Sequence, residues 1–430
     1  MELMRRKYIC PVMHENSVVE LNPSFNGSPA RWFKWALVNL MVVAMAGVVA
    51  RYKISYSLPL VGFENLVHAH SHFAFAGWAS MALFATIIAY FCSKEIQESK
   101  ILQQLFIANQ LTSYGMLVSF FWQEYGPISI GISTLSMIVS YFYAWQIWKH
   151  TARSRKTLSV RALHFSLICM ILSTLGPYAL AYMEASGTMN LMNMNNVVYW
   201  YLHFQYNGWF TFGVLAIAIR AFELRGGNSG SINLRMFISL MIAACFPTYL
   251  ISILWTIPSA LIYIIGGVGT GLQIVAFGFL ANEIRVRYSS ALLAVKRTGG
   301  WLLLISFLSF LIKLTLQFAC VFPGLNKFVF GYRPVIIGYL HLVFLGFLTC
   351  FLIGTAIGHQ VLNLRTKINV GGITLFILGF ILTESALLMH GLSIVISTAM
   401  PFLPPLLFVA AVSILGGLSL LVVGHSNKIK

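Results

Sequence analysis

No aspartate occurs anywhere in this 430-residue chain; its eleven acidic residues are all glutamates. Sites for hard divalent cations gather several carboxylate and carbonyl oxygens, so calcium or magnesium chemistry is not what this sequence is built around. Charge of either sign is scarce, at 9% of residues against about 25% in an ordinary soluble domain. The six cysteines are scattered, with no CxxC pair and no zinc-ligand spacing, which argues against a disulfide framework or a zinc module. CxxCH is absent too, so no c-type haem attachment is expected. Nor is a cleavable leader: the first apolar run follows about thirty mostly polar residues and is long enough to span a bilayer.

What is abundant is apolar length. The chain is 58% apolar by residue type, and about 20 such residues cross the hydrocarbon layer. Twelve runs qualify, at roughly 32–50, 66–92, 101–122, 127–148, 160–183, 196–222, 234–255, 257–281, 300–322, 333–357, 369–392 and 401–424. The expected architecture is an all-α membrane protein: an N-terminal arm over 1–31, a twelve-helix transmembrane domain over 32–424, and a tail over 425–430. That leaves no room for a separate soluble domain.

The net charge of +17 is a topology signal and not a nucleic-acid footprint. With both termini in the cytoplasm, 23 of the 28 Lys and Arg fall on the inside, as the positive-inside rule requires. The expected localisation is a multi-pass protein of the bacterial cytoplasmic membrane, its first partner the lipid bilayer. No convincing internal repeat is evident, which argues against transporters built from repeated halves. The interruptions GGVGTG (266–271) and FPTY (246–249) read as close-packing devices.

Against this apolar background the stretch HAHSHFAFAGW, His68 to Trp78, carries the chemistry. Imidazole is expensive in hydrocarbon unless it is satisfied, so intramembrane histidines are functional candidates. The topology brings His68, His70 and His72 on span 2, His203 on span 6, His341 on span 10 and His390 on span 11 to one layer in the outer half of the membrane. Facing helices that present imidazoles are how bundles build haem and metal sites. Residues four apart share a helix face and residues two apart do not. His68 and His72 therefore point together, and His70 almost opposite. His70 and His341 are the expected haem-iron ligands, while His68 is either a ligand or a solvated headgroup residue.

At these residues the chain resembles the catalytic subunit of haem-copper oxidases and nitric-oxide reductases, the C-family oxidases in particular. Three segments carry the resemblance: His70 with Gly77 and ALFAT (82–86), YWYLHFQYNGWF (199–210), and GYLHLVFLGF (338–347). It implies the subunit I fold of twelve spans and one low-spin haem b held by His70 and His341. The propionates would meet Arg333 first and Arg51 second. It also implies membership of a respiratory chain, with a partner redox subunit or electron donor and a small gaseous ligand as further partners. The departures are as informative. Tyr339 stands where the family's high-spin haem takes its proximal histidine, Asn207 stands at the reductases' glutamate, and spans 7 and 8 contain no histidine. A copper site needing three nitrogen ligands would have only His203, so copper or a second haem lacks its usual ligands.

A second metal site built from His203 with His68, His72 or His390 remains the alternative to a hydrogen-bonded network of Trp200, Gln205, Tyr206 and Asn207, which Tyr339 would join as donor. Lys313 and Glu384 either mark a proton path or pair with each other. The expected role is electron transfer or redox chemistry of nitric oxide or dioxygen. Two alternatives stand beside it: an active terminal oxidase or reductase with atypical ligands, and a haem-free transporter or copper-handling membrane protein.

Overall fold

A computed structural model describes residues 25–152, 157–256, 259–287 and 299–426. Most of the expected N-terminal arm (1–24) and the last four residues of the expected tail lie outside the described residues. Long helices follow one another: α1 (Gly27–Ser55), α2 (Phe63–Phe91), α3 (Lys100–Gln123), α4 (Pro127–Thr151), α5 (Leu158–Ala185), α6 (191–223), α7 (Ile232–Thr256), α8 (Ala260–Arg287), α9 (Gly300–Ala319), α10 (Arg333–Gly358), α11 (Lys367–Val395) and α12 (Leu403–Ser426). Two short helices, Lys94–Gln97 and Pro323–Gly331, sit in connections. Among the described residues the architecture is all helical.

Ten of these helices are long and apolar enough to cross a membrane. α3 and α6 have the length but carry more polar side chains, such as Gln103, Asn109 and Gln110, or Asn195, Gln205 and Asn207. Large apolar residues face outward along whole helices, for example Ile128, Leu135, Phe142 and Trp145 on α4 and Leu261, Ile264, Val268 and Val275 on α8. A water-soluble protein does not expose apolar stripes of that extent. This is a multi-pass membrane protein.

The first helix begins at Gly27, five residues ahead of the expected span. Its N-terminal amides are satisfied from elsewhere in the chain: the Ser28 amide and hydroxyl donate to the Glu98 carboxylate at 2.8 and 2.5 Å. These two bonds hold the Glu98 carboxyl below its ordinary range. A cap supplied from seventy residues away leaves no trace in the local pattern.

Packing is pairwise around a centre. α7 packs on α8, α11 on α12, α5 on α6, α3 on α4, and α1 lies between α2 and α12. The two small-residue motifs meet in the α7–α8 contact, where a Cβ on Gly269 would stand 2.8 Å from Pro247 Cβ. They serve close packing, as read from the sequence. In the centre stand α2, α6 and α10, joined by a triangle of rings: Phe75–Phe344 at 4.7 Å, Phe344–Phe210 at 5.5 Å and Phe75–Phe210 at 5.8 Å. Such pairs contribute about 0.5–1.5 kcal/mol each beyond their area burial.

The central helices are unequal along their length. Every residue of Met81–Phe91 is buried, as is nearly every residue of Thr211–Ile219 and Cys350–Ile357. In their N-terminal halves, Arg333–His341 has no buried residue and Leu191–His203 has only His203. One half of the centre is close-packed and the other is open.

A close approach of two helix backbones predicts a sharp contrast. A Cβ on Gly417 would meet Phe376 N at 2.5 Å, whereas Gly371 has nothing within 4 Å. Gly417→Ala is expected to destabilise the purified protein by about 1–3 kcal/mol through overpacking. Gly371→Ala is expected to be neutral or to stabilise by about 0.5–1 kcal/mol. Thermal loss of helical circular dichroism in detergent measures both.

Candidate functional site

Each central helix changes pitch at the same place. π-Helical turns run over Ala74–Ser80, Phe204–Phe210 and Leu342–Thr349, directly after the histidines. Once superposed, the three segments share one pattern: His72, Gly77, Trp78 and Ser80; His203, Gly208, Trp209 and Thr211; His341, Gly346, Phe347 and Thr349. The chain therefore does contain a short internal repeat. It escaped the sequence reading because it spans about two turns and recurs at unequal intervals.

A π-turn replaces i→i+4 bonds by i→i+5 bonds and leaves backbone carbonyls short of a donor. In an apolar membrane interior such carbonyls must be met by side-chain donors. Asn39 of α1 donates to the Gly77 carbonyl at 2.7 Å and Asn109 of α3 to Ala76 at 3.2 Å. Ser166 of α5 donates to the Trp209 carbonyl at 2.8 Å, and Ser306 of α9 to Phe347 at 2.6 Å. All four donors are buried. The sequence reading missed them; single Asn or Ser residues within long apolar runs are the signal that marks them.

Above the π-turns stand the paired histidines. His70 Nδ1 donates to the Val43 carbonyl of α1 at 3.0 Å, and His341 Nδ1 donates to the Ile337 carbonyl at 2.8 Å. A carbonyl only accepts, so both rings carry their proton on Nδ1 and keep the Nε2 lone pair. On α1, Val43, Gly47 and Arg51 lie four apart on one face. Gly47 lets the His70 ring approach, since a Cβ there would stand 3.4 Å from its Cε1. The Arg51 guanidinium lies within electrostatic reach of both rings, and the rings lie within reach of each other. Both lie deep in the bundle, yet neither is sealed by its neighbours. Arg333 is exposed, rests over the Phe63 ring at 5.8 Å, and reaches His68 electrostatically. The structure thus ties Arg51 to the pair more closely than Arg333.

The remaining histidines are not brought together. His68 and His72 share a face, as their spacing demands, and turn toward the α3–α4 connection. Tyr125 lies edge-on to His68 at 4.7 Å, and Phe120 stacks on His72 at 4.0 Å. His390 stands on α11 beside an open pocket of about 500 Å³ with Ser393, Met400 and Pro404. His203 has both nitrogens engaged: Nε2 donates to the Cys245 carbonyl at 2.8 Å, and Asn207 Nδ2 donates to Nδ1 at 3.1 Å. Among the described residues no group of three His, Cys or Glu is placed to hold a metal ion. Of the expected network only Asn207 bonds His203, while Gln205 and Trp200 bond other partners. Gln317 donates to Asn207 at 3.2 Å, Gln205 to Ser173 at 2.8 Å and Trp200 to the Leu172 carbonyl at 2.8 Å.

Three expectations need correction. Grouping His203 with His68, His72 or His390 fails because those rings pack against different neighbours. Tyr339 meets Tyr206 edge to face at 5.8 Å but its hydroxyl has no hydrogen-bond partner, so it is not a donor in the His203 network. Lys313 and Glu384 do not pair: Lys313 donates to Thr211 at 2.9 Å, and Glu384 Oε1 is buried without a partner. Glu384 instead faces Gly338 across the α10–α11 contact.

Compared with protein-family models and with curated proteins, the chain matches none.

The capping of the π-turns is testable in isolation. Ser166→Ala and Ser306→Ala each strand a carbonyl in a dry interior and are expected to cost about 1–3 kcal/mol. Thr374→Ala, whose hydroxyl only bonds its own helix at an exposed position, should stay within about 0.5 kcal/mol of the parent. Thermal unfolding midpoints in detergent give the comparison.

Proposed function

We propose that this chain is a membrane haem b protein with a bundle resembling haem-copper oxidase subunit I. In it, His70 and His341 bind one six-coordinate haem between α2 and α10. What supports the reading is one observation. Two deep histidines from facing helices each spend Nδ1 on a backbone carbonyl and keep Nε2 free, on the open side of an otherwise close-packed centre.

Metal-bound histidines characteristically donate their other nitrogen to a carbonyl or carboxylate, which fixes the tautomer and makes the ligand more basic. The Val43 and Ile337 carbonyls do this here. Arg51 stands near both rings and Arg333 near the start of α2, so each offers a cationic partner to a propionate. The aromatic triangle of Phe75, Phe210 and Phe344 joins the three central helices just beyond the histidines. A bis-imidazole haem supplies one-electron transfer and has no open coordination position. The role is accordingly electron transfer in respiratory or nitric-oxide- and dioxygen-related redox chemistry, with a partner redox subunit or other electron donor. His203, with both nitrogens committed, does not favour the copper-containing oxidase alternative.

The topology that accompanies the proposal has twelve spans, α3 and α6 included, and both termini in the cytoplasm of a bacterial cell. The inside bias of Lys and Arg supports it.

An optical spectrum of the full chain, purified from cells supplied with haem, tests the reading. The parent should carry about one low-spin haem b per chain, and His70→Ala and His341→Ala should each remove it. His390→Ala should keep it. A folded but colourless parent protein would overturn the proposal.

A further inference from the structure

The repeat that aligns α2, α6 and α10 also sets up a cyclic set of side-chain links, and one of them is filled by an outsider. Trp78 of α2 donates from Nε1 to Thr349 of α10 at 2.9 Å. Trp209 of α6 donates from Nε1 to Ser80 of α2 at 3.4 Å. In both cases the aromatic residue after the repeat glycine bonds the hydroxyl at the end of the neighbouring repeat. The cycle would close with residue 347 of α10 donating to Thr211 of α6. Residue 347 is phenylalanine, which has no donor.

Lys313 supplies one. Its Nζ lies 2.9 Å from Thr211 Oγ1 and 5.9 Å from the centroid of the Phe347 ring, with the Phe310 ring at 5.7 Å. The amine thus sits against the ring that would otherwise bear the missing N–H. Thr211 passes the link on, donating to the Tyr206 carbonyl of the π-turn at 2.6 Å. Lys313 is 1% exposed, and its placement on α9 follows from spacing. Ser306, Phe310, Lys313 and Gln317 lie on one face of that helix. Ser306 bonds the Phe347 carbonyl at one end of the face and Gln317 bonds Asn207 at the other.

We infer that Lys313 is a positioning residue: the surrogate donor that closes the three-cornered ring joining α2, α6 and α10, in place of the indole that Phe347 lacks. From α9 it bonds α6 directly, and Ser306 on the same face of α9 bonds the π-turn of α10. A cation or amine in this place meets one hydroxyl acceptor and two ring faces, a partner set that suits a buried lysine. The inference is independent of haem, because every contact in it is made within the protein.

Two measurements on the full chain in detergent decide it, both read as the thermal midpoint of helical circular dichroism. The first is a double-mutant cycle of Lys313→Met and Thr211→Val. The double variant should lose clearly less than the summed losses of the singles, because the second change removes a partner already lost. The second is a rescue: Phe347→Trp introduced into Lys313→Met should recover part of the lost midpoint by restoring an indole donor. Should Lys313→Met not fold, the same comparisons are read from the yield of folded protein. An additive cycle overturns the link to Thr211. A Lys313→Met/Phe347→Trp protein no more stable than Lys313→Met overturns the substitution of lysine for indole.

Discussion

A π-turn inside a membrane helix releases a backbone carbonyl where no water can reach it, and the surrounding helices must answer. That requirement organises this protein. The three central helices each carry such a turn at the same level, and each turn is met by a donor from an outer helix: Asn39 of α1, Ser166 of α5 and Ser306 of α9. The outer helix that precedes each central helix in the chain is therefore held at a defined depth against it. An unpaired carbonyl in hydrocarbon costs several kcal/mol, far more than the apolar contacts of one side chain with lipid-like neighbours would forfeit.

The widened turns also divide the bundle. On their C-terminal side the central helices are close-packed, with Trp78 and Trp209 buried and cross-linked to hydroxyls of neighbouring helices. On their N-terminal side few residues are buried, and His70, His341, Tyr339 and Tyr201 are only part-buried. The phenylalanine triangle marks the boundary. A close-packed base under a looser end suits a site held on rigid elements, which is the setting of the proposed haem. His72 and His203 are otherwise occupied, by Tyr125 and Phe120 or by the Cys245 carbonyl and Asn207.

Much of this was legible beforehand. The apolar runs located the helices because bilayer thickness sets their length, and most boundaries fall within a few residues. α1 starts early because a carboxylate from a distant connection caps it. The helical period separated His70 from His68 and His72, and the structure points them to different neighbours. The polar residues around His203 were visible as a choice between a metal site and a network, and the side-chain hydrogen bonds link His203 only to Asn207 and, through it, Gln317. The pairing of Lys313 with Glu384 was not to be had from sequence: both lie in apolar helices at plausible depths, but they face different partners, Thr211 and Gly338. The short repeat was overlooked because its similarity resides in four positions spread through an apolar background.

Composition and periodicity by themselves determined that the chain is a helical membrane protein and that His68 and His72 share a face from which His70 turns away. Both follow from local rules: apolar length against bilayer thickness, and angular spacing along a helix. Which nitrogen of each histidine is spent, which half of the bundle stays open, and which residue closes the ring at Phe347 were decided only in three dimensions. Those outcomes depend on donors and acceptors brought together from helices far apart in the chain, and no local pattern encodes who the distant partner will be.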